Sequence, residues 1–155
     1  MPSKDKLATE NGEEIASRQQ YAALCYRQDK KTKSVEVLLI TSRDTGRWVT
    51  PKGWPMANKA PHQVAEQEAF EEAGIKGKIA DAPLGSFSYL KRLDDGRSIP
   101  CEVELYPLSV RKMKSKYPES SERERHWTSL ELAAEMVEEP GLKTLLLDFA
   151  AKFAN

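Results

Sequence analysis

The sequence predicts an α+β domain built around a mixed β-sheet, and three observations point there. Strand-like runs stand both before and after one central helix-like segment. Pro61 and Gly74 bracket that segment, since proline suits the first helical position and glycine the left-handed turn just past the end. Two further helix patterns close the chain. At 155 residues the chain fits a single domain with a substantial core.

Taken in order, Met1–Ser17 is polar and mixed in charge without periodicity, so residues 1–17 are expected to form a mobile N-terminal arm ahead of a single domain over 18–155. Gln19–Arg27 reads as a strand with aromatics at both ends, and Lys30-Lys31-Thr32-Lys33 as a charged turn. Val35–Thr41 (VEVLLIT) is apolar enough for a strand buried on both faces. Asp44 and Gly46 form a turn into Arg47–Thr50. A loop through Pro51-Lys52-Gly53, Pro55 and Asn58 then leads to the central helix. Ile75–Ala82 is a short strand ended by Pro83-Leu84-Gly85. Ser86–Leu90 and Ile99–Val110 are partner strands around the turn Asp94-Asp95-Gly96. Arg111–Lys116 is a basic cluster and Tyr117–Arg125 a polar loop. Thr128 with Glu131 predicts a capping box for a helix to about Val137. Pro140-Gly141 breaks it, and Leu142, Leu145, Leu146, Phe149 and Phe153 mark an amphipathic last helix.

Composition narrows the function. A formal net charge of zero with 31% charged residues gives no global pull toward nucleic acid or membrane. No run approaches the ~18 apolar residues of a membrane span, and residues 1–17 lack the apolar segment of a signal peptide. The expected setting is cytoplasmic, with Cys25 and Cys101 reduced.

The chemistry concentrates in the central helix. Glu68, Glu71 and Glu72 stand at i, i+3 and i+4, which puts three carboxylates on one side. Like charges so spaced repel by a few tenths of a kcal/mol, about 0.2–0.5 per pair. A hard divalent cation turns that repulsion into coordination. The competing reading is a solvated acidic face. Ala65, Ala69 and Ala73 form an i+4 row on a neighbouring face, so the helix can pack closely while its carboxylates face elsewhere.

These residues resemble the signature of the Nudix hydrolases: Gly, five residues, Glu, seven residues, then Arg-Glu-apolar-any-Glu-Glu-any-Gly-apolar. Gly53 takes the first position and Glu68-Ala69-Phe70-Glu71-Glu72-Ala73-Gly74-Ile75 the end. Lys59 stands where Glu is usual and Gln67 where Arg is usual. The likeness extends over roughly residues 18–153, including the ending from His126-Trp127-Thr128 onward. It implies an α/β/α sandwich with the signature helix beside a mixed sheet, and hydrolysis of a phosphoanhydride bond. It implies Mg2+, with Mn2+ as the alternative, held by Glu68, Glu71, Glu72 and the carbonyl of Gly53. It also leaves a homodimer open. In the family the signature Arg orients neighbouring glutamates. Gln67 keeps the hydrogen bond without the charge, and Lys59 is expected either to supply the missing cation or to contact substrate phosphate.

The loop Ser120–Arg125 precedes Trp127 much as base-bearing loops do in some members, which selects Glu122 as general base, with Glu119 and Glu124 as rivals. For substrate phosphate, Lys52 beside Gly53 is the first candidate, followed by Arg18, Arg43, Lys91 and Arg97, with Arg47, Arg92, Arg123 and Arg125 as further ones. The WVTPKG lead-in and SERERHW ending are similar to the branch that cleaves diphosphoinositol polyphosphates and dinucleoside polyphosphates. The expected partner is therefore a small polyphosphate, without membrane. The alternatives are nucleoside diphosphate derivatives such as ADP-ribose or nucleotide sugars, or a catalytically weak nucleotide-binding protein. Among Tyr21, Tyr26, Tyr89, Trp54 and Trp127 no base-stacking platform stands out. A nucleic-acid binder would rest on Arg111–Lys116, a short cluster with acidic residues close behind. Cys25, Cys101, His62 and His126 lack the close pairing of a zinc site.

Overall fold

The computed structural model describes residues 6–8 and 14–154. Most of the expected N-terminal arm lies outside them; within it, β1 (Lys6–Ala8) and β2 (Glu14–Ala16) pair antiparallel. The domain follows as β3 (Arg18–Gln28), β4 (Val35–Thr41), β5 (Trp48–Val49), β6 (Lys52–Gly53), α1 (Pro61–Ala73), β7 (Ile75–Ile79), β8 (Gly85–Arg92), β9 (Ser98–Met113), β10 (Arg125–Ser129), α2 (Leu130–Met136) and α3 (Pro140–Ala151).

Among the described residues eight strands join into one sheet with the central order β10-β4-β3-β9-β7. The short strands β5, β6 and β8 pair with β4, β3 and β9 respectively. Only β3 and β9 run parallel, so the sheet is mixed. Its inner strands send alternate side chains to opposite faces, as the two-residue period of a strand requires. Ala22, Leu24, Val37 and Leu39 pack beneath α2 and α3, whereas Ala23, Cys25, Leu38 and Ile40 pack against α1. Both faces are covered, which is why VEVLLIT is almost continuously apolar. The result is the α/β/α sandwich.

The ends of α1 follow its sequence signals. Pro61 opens it, the Gln63 side chain accepts from the Ala60 N–H at 2.8 Å, and Gly74 closes it at φ 70°. A Cβ on Gly74 would also strike the Tyr117 ring and the Lys114 carbonyl. Two expectations need correction at the C-terminal side. The sequence places Arg125 in the loop and Thr128 at a helix cap, but both belong to β10, where Arg125 pairs with Ile40 and Thr128 with Val37. With Thr128 buried in the ladder, Ser129 caps α2 by accepting from Leu132 N at 3.1 Å. Pro140 does not merely break a helix: it occupies the first turn of α3. Cys25 and Cys101 are free and buried. Among the described residues no helix is long and apolar enough to cross a membrane.

Candidate active site

Local pairing builds the floor of the site. Lys52 and Gly53 add a two-residue strand to β3, with Gly53 opposite Tyr21 and Lys52 opposite Ala22. This holds the loop backbone against α1, whose Ala65, Ala69 and Ala73 are fully buried. The small side chains let helix and sheet approach closely. Gly53 then lies so near Glu68 that an added Cβ would overlap the carboxylate. One turn on, Glu72 is 8% exposed and accepts from Lys52 N at 3.2 Å.

These residues floor a cleft of about 490 Å³. Arg43 stands on one wall, Lys91 and Arg92 on another, and Glu119 and Arg123 close the side toward β10. Trp54 lines the rim and is 39% exposed, with Lys91 Nζ 6.0 Å from its ring centre. The cleft is thus lined by both signs of charge: five cations, with Glu68, Glu72 and Glu119 joined by Asp44 and Asp94.

The electrostatics reflect this crowding. Burial raises the Glu68 carboxyl to about 8, and repulsion from Glu72 and Glu71 adds to the effect. Burial raises Glu72 as well, opposed by Arg123 and Lys52. Burial pulls the Lys52 ammonium down to about 8, against the attraction of Glu72.

Of the residues singled out in the sequence, Lys52, Gly53, Glu68, Glu72, Arg43 and Lys91 meet at the cleft. Glu71 lies on the same side of α1, but its carboxylate accepts from Gln67 Nε2 at 2.6 Å rather than lining the cleft. Glu122, 42% exposed, accepts from Arg43 at 3.0 Å outside the cleft lining, and Glu119 is the loop carboxylate that reaches inside. Five cations lie elsewhere. Lys59 is exposed in the loop before α1 and is not part of the cleft wall, so it contacts neither Gln67's partner nor the cleft. Arg97 is paired with Asp95 at 2.7 Å on an exposed turn. Arg18 borders a separate shallow recess beside Trp54 and Pro55. Arg47 pairs with the buried Glu139. Arg125 donates to the Ala73 and Lys114 carbonyls, a structural task at the end of α1. Arg123 and Glu119 were only secondary candidates; no local spacing links them to α1.

Among the described residues no three His, Cys, Asp or Glu side chains converge as a closed metal cage. What the floor offers is the two carboxylates of Glu68 and Glu72 beside the Gly53 backbone. An oxygen-only, open donor set fits Mg2+, which keeps several waters and takes one or two carboxylates plus substrate phosphate. The crowded carboxyls also give a cation something to relieve.

No family model matches the chain. It is 31% identical over 120 residues to diphosphoinositol polyphosphate phosphohydrolase 3-beta of Bos taurus, covering 76% of this chain and 67% of that protein. It is 29% identical over 124 residues to Nudix hydrolase 16, mitochondrial, of Arabidopsis thaliana, covering 78% and 68%. Three further Arabidopsis Nudix hydrolases are matched over 57% to 62% of their length. Among solved structures, the NUDIX domain of Shewanella oneidensis NrtR, complexed with ADP ribose, aligns over 90% of each chain with a TM-score of 0.66 at 14% identity. The C. elegans Ap4A hydrolase aligns over 89% of this chain and 99% of its own with a TM-score of 0.61 at 21% identity. At such identities these two speak for the fold alone. Together with the glutamate helix over Gly53, the sequence relatives identify the chain as a member of the Nudix hydrolase family.

Proposed function

We propose that this chain hydrolyses a phosphoanhydride bond in a polyphosphorylated metabolite, a dinucleoside polyphosphate or a diphosphoinositol polyphosphate, with Mg2+. One observation carries the reading: a floor of the half-buried Glu68 and the buried Glu72, lined as well by Arg43, Lys52, Lys91, Arg92 and Arg123. So many cations around one cleft suit a ligand with several phosphates better than a single diphosphate. The name of the Bos taurus relative points the same way.

In this reading Glu68 and Glu72, with Gly53, hold the ion, which when bound screens the phosphates and activates water. The protein's own residues do the rest. Arg43, Lys91 and Arg92 bind the outer phosphates and fix which bond lies over the floor. Lys52 places a positive charge beside Glu72 and toward the phosphate nearest the ion. Glu119 is the loop acid that reaches the cleft, in the place expected for Glu122. Trp54 is the exposed aromatic of the rim and the surface on which a nucleobase would stack.

The deciding experiment is turnover against a panel of polyphosphates with and without Mg2+, products identified by mass, for wild type and Trp54→Ala. Metal-dependent cleavage of a dinucleoside tetraphosphate or an inositol pyrophosphate is expected. Trp54→Ala should raise KM about 10-fold for the nucleotide only, the loss of roughly one stacked ring. Preference for ADP-ribose or a nucleotide sugar reverses the substrate ranking. No metal-dependent turnover on any member of the panel would sink the enzyme reading.

A further inference from the structure

Arg123 is held far more tightly than a loop arginine needs to be. Its side chain is 9% exposed, and every arm of the guanidinium has a partner. Nε donates to Glu119 Oε1 at 2.8 Å, Nη1 donates to the Thr41 carbonyl at 3.1 Å, and Nη2 lies 3.7 Å from Glu72 Oε2. Its backbone is fixed as well. Thr41 N donates to the Glu124 carbonyl at 3.1 Å and Glu124 N to Thr41 Oγ1 at 2.8 Å, which carries the β4–β10 pairing up to the neighbour of Arg123. The loop also docks on α1, where Glu119 N donates to the Glu71 carbonyl at 3.0 Å.

On the helix side the corresponding charge is missing. Gln67 holds Glu71 through a neutral amide. Lys59, at the other altered signature position, lies outside the cleft lining. A planar guanidinium bridging two carboxylates fixes their orientation as an amide or a point charge cannot.

We propose that Arg123 is the positioning residue of this site, holding Glu72 and Glu119 from the β10 side and supplying the cation that Gln67 does not supply from α1. The role rests on the hydrolase reading above but has a test of its own. Outer partners of metal-binding carboxylates cost about 10- to 100-fold in affinity or activity when removed.

The comparison uses full-length wild type, Arg123→Gln, Gln67→Arg and the double variant, with folding checked by thermal melts. Mn2+ binding is followed by electron paramagnetic resonance, alongside kcat and KM on the best polyphosphate of the panel. Arg123→Gln should weaken Mn2+ binding and lower kcat, each by about 10- to 100-fold, with KM moved less than about threefold. Gln67→Arg should be nearly silent in wild type yet recover about tenfold or more in the Arg123→Gln background, because the two positions then serve one task. Unchanged Mn2+ affinity in folded Arg123→Gln overturns the proposal. So does a double variant no better than Arg123→Gln, or a loss confined to KM, which would make Arg123 a phosphate ligand. Should Arg123→Gln fail to fold, Arg123→Lys with and without Gln67→Arg carries the same comparison. If the wild type turns over no polyphosphate, the function reading fails, while the Mn2+ affinities still decide the role of Arg123.

Discussion

On one face of the sheet α1 presses Ala65, Ala69 and Ala73 against the strands; on the other, α2 and α3 bury Leu142, Leu146 and Phe149. Small residues bring a helix backbone close, which sets Glu68 above Gly53 and Glu72 against Lys52 N. Large residues remove more apolar surface, each buried Leu or Phe contributing about 1.5–3 kcal/mol. The α1 face therefore keeps polar, crowded groups in place for chemistry, and the α2–α3 face supplies much of the stability that offsets them. Activity and stability are expected to respond separately to changes on the two faces.

The largest effect should come from the α3 side. Leu146 is fully buried, so Leu146→Ala should cost about 2–5 kcal/mol in chemical denaturation. The specific activity of the folded fraction should hardly change. A large drop in kcat at full folding would show that the two faces are coupled after all.

Glu72→Gln is the mirror case. It should lower kcat by about 100-fold or more, beyond what an outer partner costs, while Tm stays level or rises, because burial of the Glu72 carboxylate costs more than Arg123 and Lys52 return. Loss of stability on the scale of Leu146→Ala would make Glu72 a structural residue instead.

The pH response should also belong to the α1 face. Glu68 is raised to about 8 chiefly by burial, so between the unfolded value of ~4.3 and that point the folded protein keeps a proton that the unfolded chain has released. Stability of the cation-free protein should therefore fall through this window. Lys52, lowered to about 8 by burial, acts in the next one: its buried ammonium costs stability below that value, and the cost fades toward ~10.4. Melts in EDTA should show Tm falling from about pH 5 to about pH 8, and Mg2+ should flatten the fall. A level or rising Tm in EDTA over that range contradicts the crowding at Glu68.

The smallest effect is expected at the start of α2. Ser129→Ala removes the cap to Leu132 N and should cost about 1 kcal/mol, with kcat unchanged. Thr128→Ala would serve as its contrast, since Thr128 is a buried strand residue rather than the cap.

Legibility in the chain follows the same division. The strands β3, β4 and β9 and the ends of α1 were readable because periodicity, Pro61 and Gly74 act within a few residues. β10 was not: RHWTS is short and largely polar, and becomes a strand because it finds the edge of β4. The cap shifted by one residue for the same reason, as the ladder claimed Thr128.

In the site, the i, i+3, i+4 spacing placed the glutamates on one side of a helix, but which of them face the cleft depends on neighbours beyond the helix. Gln67, four residues away, draws Glu71 aside, and Arg123 reaches Glu72 from a distant loop. The expected roles of Lys59 and Glu122 failed to meet the cleft because nearness in the chain did not make them neighbours in space.

By itself, then, the sequence determined the glutamate helix, its stop at Gly74, the alternating two-faced strands and the family to which they belong. All of these are set by local spacing. Only the tertiary structure decided which carboxylates share the floor, which cations wall it and that Arg123 stands beside Glu72. Those contacts join residues far apart in the chain, and no local periodicity encodes where β10 and its preceding loop will dock.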